Sequence, residues 1–269
     1  MTTHLLTHKE KLYKNRDFLL AFLIFLIMAS IYIYTAAPSV YDGDSGELTA
    51  AINSLGLSHP TGFPLYILTG KFFTLIVPIG SIAYRLNIFS ALLVAASVSL
   101  LFIVLRNLRI SLIASLSSSF IFGFGNSIWS HAGAVRVYSF NILLVAILLF
   151  LFTTYLKNHH KKYIFFYALV LGFGSGAHGL IILMTVPLIF MLYQNKWQNI
   201  TKTSLLVFVP LLQYVYIPFA YIRNQIINFG HIDSINGFYN YITQRDFAYK
   251  IGERDFLSTN TFFKEIYSL

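Results

Sequence analysis

Long apolar runs separated by short polar segments dominate the pattern of the chain. Six runs contain no Asp, Glu, Lys or Arg, and they cover residues 18–41, 86–105, 110–135, 137–156, 163–195 and 203–222. A helix needs roughly 20 mostly apolar residues to cross a bilayer, and each run meets that requirement. The pattern therefore predicts an all-α fold, a polytopic transmembrane helix bundle.

The run at residues 163–195 is too long for one straight span, and glycines interrupt it between Gly172 and Gly179. Glycine clusters favour turns, so a tight helix pair turning near His178 is expected there. About seven spans follow, near residues 17–37, 84–105, 110–129, 137–156, 163–177, 179–194 and 203–223. The apolar stretch at 65–78 is predicted to be an interfacial or re-entrant helix.

Composition and charge support a membrane protein. Hydrophobic residues make up 57% of the chain and charged residues 11%, which leaves too little polar surface for a water-soluble globule of 269 residues. The net charge of +9 comes from basic clusters at the ends of apolar runs, so it indicates topology and not nucleic-acid binding. With no cysteine, thiol catalysis and disulfides are excluded.

The positive-inside rule orients the bundle. It places the N-terminus and the basic loops at 106–109, 157–162 and 196–202 in the cytoplasm. The predicted organisation is a transmembrane module over residues 1–223, with a first outer loop at about 38–83, followed by an extracytoplasmic segment at 224–269. The expected location is the inner (plasma) membrane, with multiple passes and a cytoplasmic N-terminus.

The first outer loop carries a cluster of carboxylates, three within residues 41–47, including Asp44 and Glu47. A carboxylate there can act as a general base or hold a divalent cation. A structural alternative is a capping box, in which Asp44 caps a helix over residues 45–55 and Glu47 reaches back to it. The two roles are compatible.

Further polar residues fall on the same predicted outer level, and each has a structural alternative. His59 lies in a rigid proline turn, Arg85 can pair with a carboxylate or reach a lipid headgroup, and the glycines around His178 can serve packing alone. His131 also lies at this level. The candidates for substrate binding are His59, Arg85, Asn87, Arg136, Tyr138 and His178. No Walker-type loop, metalloprotease histidine pair or serine-nucleophile motif occurs.

Five ordered blocks carry a resemblance to a known family. They are Gly43-Asp44-Ser45-Gly46-Glu47-Leu48, His59-Pro60-Thr61-Gly62-Phe63-Pro64-Leu65, Arg85-Leu86-Asn87, Trp129-Ser130 to Val137-Tyr138, and Leu171-Gly172 to His178. They resemble a bacterial family of polytopic membrane proteins, described as a domain of unknown function, that is related to vertebrate protein O-mannosyltransferases. That family resembles the GT-C glycosyltransferase superfamily.

The resemblance implies a bundle of GT-C type and a function. It implies transfer of a sugar from a polyprenyl-linked donor to a protein or glycan acceptor on the extracytoplasmic side, by inverting displacement. Asp44 is then the candidate base and Glu47 the second catalytic candidate. Arg85, His59 and His178, in that order, are candidates for the donor phosphate. No cofactor is predicted, and a divalent cation stays an open alternative.

One departure from the family is Arg136, which stands where a glutamate commonly precedes Val-Tyr. The chain is also short for the family. Two alternatives therefore stay open: a lipid-phosphate binding or transport protein, and a truncated non-catalytic homologue.

Overall fold

The fold is helical throughout the part that the computed structural model describes, namely residues 8–223, 227–230 and 232–245. The helices up to the middle of the chain are α1 (His8–Tyr34), α2 (Ser45–Ser54), α3 (Pro64–Ile76), α4 (Ile82–Asn107), α5 (Leu112–Phe124), α6 (Asn126–Ala132) and α7 (Val137–Asn158). Those that follow are α8 (Lys162–Gly174), a 3-10 segment (Gly179–Met184), α9 (Thr185–Gln194), α10 (Ile200–Phe208), a second 3-10 segment (Val209–Val215), α11 (Tyr216–Arg223) and α12 (Ile235–Thr243).

Several of these helices are long and apolar enough to cross a membrane, which indicates a multi-pass membrane protein. Four candidate spans meet the length criterion, at Asn15–Tyr34, Ile82–Asn107, Val137–Asn158 and Ile200–Arg223. A bent pair, α5 with α6, raises the number to five if it counts as one span. The polytopic all-α fold is thus confirmed, whereas the predicted number of seven spans stays a prediction because Lys162–Gly174 and Gly179–Gln194 are shorter helices.

Two predicted spans are not continuous helices. The predicted span at 110–129 is divided between two helices, because α5 ends at Phe124 and α6 follows it at an angle of 64°; that the pair crosses the membrane as one span stays a prediction. The span at 203–223 contains the 3-10 segment with Pro210, which lacks an N–H for the α-helical ladder. The break predicted near His178 is present, between the end of α8 and the first 3-10 segment.

Helix α4 is the centre of the bundle, and α1, α3, α5, α6 and α7 all pack against it. Small residues allow some of these helices to approach closely. A Cβ on Gly123 of α5 would lie 2.7 Å from the Met28 methyl group, and the buried Tyr32 hydroxyl donates to the Gly123 carbonyl at 2.6 Å. Helix α7 continues the packing to α8, and α8 packs against α10.

A segment near the C-terminus packs against the loop between α2 and α3. Leu57 forms an isolated parallel bridge with Asn228, and the buried Tyr241 hydroxyl donates to the Ser58 carbonyl. The Gln244 side-chain amide donates to the Pro60 carbonyl at 3.4 Å. The loop at residues 55–63 is therefore held by hydrogen bonds to the segment that follows α11.

Other parts of the predicted organisation lie outside the described residues. The acidic side chains expected in the C-terminal segment, Asp246, Glu253 and Asp255, belong to this group, as do the basic side chains up to Lys14 that were expected to fix the N-terminus in the cytoplasm. The extracytoplasmic placement of 224–269 stays a prediction.

Candidate functional site

The first carboxylate of the site stands at the start of α2. Asp44 is the N-cap residue, but its backbone is in the right-handed helical region (φ −69°, ψ −5°) and its side chain makes no capping hydrogen bond. N-cap side chains reach the first amides from an extended backbone, so the predicted capping box is wrong. The half-buried Asp44 carboxylate has no hydrogen-bond or ion-pair partner among the described residues.

Glu47, one helical turn later, is hydrogen-bonded to the loop between α2 and α3. Its Oε1 accepts a hydrogen bond from His59 Nδ1 at 2.9 Å and another from the His59 backbone N–H. The hydrogen bond to Glu47 raises the pKa of His59 above its ordinary value, burial opposes this, and the charges of Glu47 and Asp44 add to it. The pair therefore favours a protonated imidazole beside a carboxylate.

Rings connect His59 to the opposite wall of the site. Phe63 contacts His59 edge-on with centroids 5.0 Å apart and stacks on His178 at 6.3 Å. His178 in turn lies 5.1 Å from Tyr138, and Tyr138 lies 5.0 Å from His131. We call these five residues the ring cluster. It brings together the first loop, the glycine-rich turn after α8 and the junction of α6 with α7.

His178 caps the 3-10 segment, since its Nδ1 accepts from the backbone N–H of Leu180 at 3.1 Å. Burial lowers the pKa of His178, and the nearby charge of His59 lowers it further. The turn is joined to α3 by the Leu65 N–H, which donates to the Gly176 carbonyl at 2.9 Å. The two imidazoles thus differ: His59 favours the charged form and His178 the neutral form.

Arg136 approaches the site from the start of α7. Its guanidinium lies directly over Gly43, because a Cβ built on that glycine would be 2.6 Å from Nη1. Within the described ranges, the guanidinium forms no hydrogen bond or ion pair. It lines a cavity of about 290 Å³ together with Thr35, Ala37, Tyr41, Trp129, Ser130, His131, Gly133 and Ala134. We call this space the Arg136 cavity.

Two predicted substrate-binding residues are occupied with the backbone. Arg85 does not form the expected ion pair with Asp44 or Glu47, because its guanidinium donates to the Thr74 carbonyl at the end of α3 and to the Gly80 carbonyl, both at 3.1 Å. The buried Asn87 amide donates to two backbone carbonyls that follow α1, at 2.6 and 2.9 Å. Both arrangements fix the first loop, and a part in substrate binding stays a prediction.

The structure thus brings Asp44, Glu47, His59, Tyr138 and His178 to one end of the bundle, where Arg136 also lies. The sequence did not single out Phe63 and Tyr241. Phe63 has a left-handed backbone (φ 44°) at the N-cap of α3, a conformation that a hydropathy pattern does not reveal. Across the described ranges, no group of three or more His, Asp or Glu side chains is placed to hold a metal ion.

Fold and site together define a multi-pass helical membrane protein with a carboxylate–imidazole cluster at one end of its bundle. By sequence, the chain belongs to the family described as "Protein O-mannosyl-transferase TMEM260 N-terminal domain", which matches residues 44–203. The matched range begins at Asp44 and includes every other predicted site residue. The predicted relation to protein O-mannosyltransferases is confirmed.

Two curated relatives carry the same name. The mouse "Protein O-mannosyl-transferase TMEM260" is 28% identical over 237 residues, which cover 84% of this chain and 34% of the mouse protein. The "Protein O-mannosyl-transferase tmem260" of Dictyostelium discoideum is 29% identical over 149 residues, or 55% of this chain and 18% of that protein. The chain thus spans about a third of the mouse relative. No solved structure matches.

Proposed function

We propose that this chain carries the acceptor-activating site of a membrane glycosyltransferase. The enzyme would move a sugar from a polyprenyl-phosphate-type carrier to a hydroxyl group of a protein or glycan, on the extracytoplasmic side of the inner (plasma) membrane. The observation that carries the proposal is the unequal state of the two carboxylates on α2. Glu47 is bound to His59, whereas the Asp44 carboxylate is unpartnered among the described residues.

The chemistry assigned to Asp44 is general base catalysis. An acceptor hydroxyl gives its proton to the carboxylate while its oxygen attacks the anomeric carbon of the donor. The bond from that carbon to the phosphate oxygen breaks, and the phosphate leaves with the electron pair. One such displacement inverts the anomeric configuration, so the linkage of the product tests this part of the proposal directly.

Glu47 and His59 serve the same reaction by position and charge. The protonated imidazole favoured by Glu47 places a positive charge close to Asp44, and Asp44 contributes to the raised pKa of His59. Tyr138 and His178 line the same end of the bundle and are the proposed contacts for the sugar or the carrier.

The experiment is a transfer assay with the purified full chain in lipid nanodiscs. A radiolabelled sugar on a polyprenyl phosphate is the donor, and membrane proteins of the source cell are the acceptors. We expect Asp44→Asn to lose at least about 100-fold in rate, since general bases typically contribute 100-fold or more. The matched control is Asp42→Asn, which removes a carboxylate from the same loop and should retain activity.

Unchanged transfer in Asp44→Asn would overturn the assignment of the base. A chelator in the same assay tests the alternative in which the loop carboxylates act through a divalent cation. If the wild-type chain transfers no sugar to any acceptor, the second candidate function gains: a lipid-phosphate binding protein. That candidate is favoured by the guanidinium of Arg136, which has no partner among the described residues and can bind an anion without the help of a general base.

A further inference from the structure

The Arg136 cavity lies beside the proposed base and has no assigned ligand. We propose that it binds a phosphoryl group, with the Arg136 guanidinium as the principal contact. The identity of the ligand as the phosphate of the sugar donor rests on the proposed function, whereas binding of a phosphate ester as such does not. The proposed phosphate contact is thus Arg136 and not Arg85, because the guanidinium of Arg85 donates hydrogen bonds to backbone carbonyls.

The burial and bonding of the Arg136 guanidinium favour an anionic ligand. Arg136 is half-buried at the N-cap of α7 and forms no hydrogen bond or ion pair within the described ranges. A guanidinium carries five donors in a planar fork that fits the oxygens of a phosphate, and leaving such a group partly desolvated without a partner is unfavourable. An anion in the cavity would satisfy it.

A second polar atom points to the same ligand. His131 lines the cavity, and its buried Nδ1 has no hydrogen-bond partner in the part of the chain that the structure describes. In the Nδ1–H tautomer it can donate to an oxyanion. His131 lies in the last turn of α6 and Arg136 is the N-cap residue of α7, so the junction of these two helices brings both donors to the cavity.

The remaining walls leave room for more than a phosphate. The volume of about 290 Å³ is many times the roughly 30 Å³ that a water molecule occupies in the liquid. The Trp129 indole is fixed in the wall, because its Nε1–H donates to the Thr35 hydroxyl at 3.2 Å and its ring meets Tyr32 edge-on. A phosphate ester with an attached sugar or isoprenyl group therefore fits better than a bare ion.

Gly43 connects this cavity to the base. The glycine has φ +66°, and Nη1 of the guanidinium lies 2.6 Å from the position that a Cβ on this glycine would take, with Asp44 as the next residue. A phosphoryl group on Arg136 would therefore lie next to the carboxylate that activates the acceptor. This is the arrangement that a displacement needs, because the leaving group must be stabilised within reach of the same anomeric carbon.

The test uses Trp129 as its own reporter. The chain has two tryptophans, so Trp197→Phe leaves the cavity residue as the only one. In this background, fluorescence is titrated in detergent with inorganic phosphate, pyrophosphate and farnesyl phosphate. Arg136→Gln should weaken binding of farnesyl phosphate about 10- to 100-fold, the usual loss when a charge-assisted contact is removed. Arg109→Gln is the matched control, because Arg109 is exposed in the turn between α4 and α5, at the opposite end of α4.

Each outcome decides the proposal. Equal binding by wild type and Arg136→Gln, or no saturable change with any phosphate probe, overturns it, while the Asp44→Asn transfer assay remains an independent test of the proposed function. In nanodiscs that contain phosphatidylglycerol, the lipid itself can change the fluorescence of Trp129. Reversal of that phosphatidylglycerol signal by farnesyl phosphate supports the donor as ligand. A phosphatidylglycerol signal that farnesyl phosphate does not displace assigns the cavity to bilayer headgroups and overturns that link. If Arg136→Gln does not fold, Gly43→Ala provides the second variant, since its Cβ displaces the guanidinium.

Discussion

The contact between Glu47 and His59 gives the sharpest prediction about the site. We consider Glu47→Gln and His59→Phe, singly and together. The glutamine keeps an oxygen that can accept the His59 backbone N–H, and the phenylalanine keeps a ring beside Phe63. The coupling between the two substitutions therefore reports the side-chain ion pair alone.

The expected magnitude follows from the exposure of the pair. The imidazole is 24% exposed and the carboxylate 19%, with 2.9 Å between Nδ1 and Oε1. Fully exposed ion pairs contribute roughly 0–1 kcal/mol, and hydrogen bonds to charged groups roughly 1.5–3 kcal/mol. We expect a coupling free energy of about 1 kcal/mol, between these limits and reduced by the remaining solvent screening.

The coupling has a definite pH dependence. The pKa of His59 is raised above its ordinary value of 6.5, first by the hydrogen bond to Glu47 and also by the charges of Glu47 and Asp44, against burial. A raised pKa in the folded state contributes stability that is complete below the unfolded value and is lost as pH rises through the folded value. The pKa of the neighbouring His178 is shifted the other way, below its ordinary value, first by burial and also by the charge of His59.

The assay is a double-mutant cycle on unfolding in detergent micelles, followed by circular dichroism at about pH 6 and about pH 9, on either side of the histidine titration. A coupling near 1 kcal/mol at the lower pH that decreases at the higher pH is the expected result. A coupling that is absent at both, or that grows with pH, refutes the reasoning.

Three further substitutions test the surroundings of the site. Gly43→Ala should lower the free energy of unfolding by about 1–2 kcal/mol because of its positive φ, and weaken farnesyl phosphate binding because Arg136 must move; unaltered binding contradicts the placement of the guanidinium. Tyr241→Phe removes the bond to the Ser58 carbonyl and should speed hydrogen exchange at residues 55–63 about fivefold, so unchanged exchange rejects the clamp. Asn87→Ala leaves two part-buried carbonyls without their donor and should lower stability by about 1–3 kcal/mol in the same unfolding assay, which a neutral effect would disprove.

The helices were predictable from the sequence because they carry apolar side chains along their whole length, some packed inside the bundle and some on its outer surface. Hydropathy detects such long apolar segments directly. The interruption near His178 was also predictable, since a glycine cluster marks it. The 64° bend between α5 and α6 was not predicted, because the apolar run continues without a charge and the glycines at 123 and 125 do not by themselves fix the direction of the next helix.

The partners of the polar residues were much harder to predict than their positions. The spacing of Asp44 and Glu47 fits a capping box as well as a catalytic pair, and local spacing cannot choose between them. The choice is made by His59, twelve residues later, which reaches Glu47 only after α2 and the loop have folded back. Arg85 shows the same limit, because its partners are backbone carbonyls, which no sequence pattern distinguishes from one another.

The difference between the two carboxylates of α2 has a consequence for any substitution series on this protein. Glu47 lies one turn beyond Asp44, and among the described residues it has the His59 imidazole and the His59 backbone N–H as partners, whereas the Asp44 side chain has no hydrogen bond. Loss of Glu47 therefore acts first on the loop that carries His59, and so on stability. Asp44 has no hydrogen-bond or ion-pair partner among the described residues and acts on His59 through its charge, so Asp44→Asn should lower stability much less than loss of Glu47 and should act mainly on turnover. A protein in which both substitutions destabilise equally would have Asp44 in a structural role, and the base would have to be sought elsewhere.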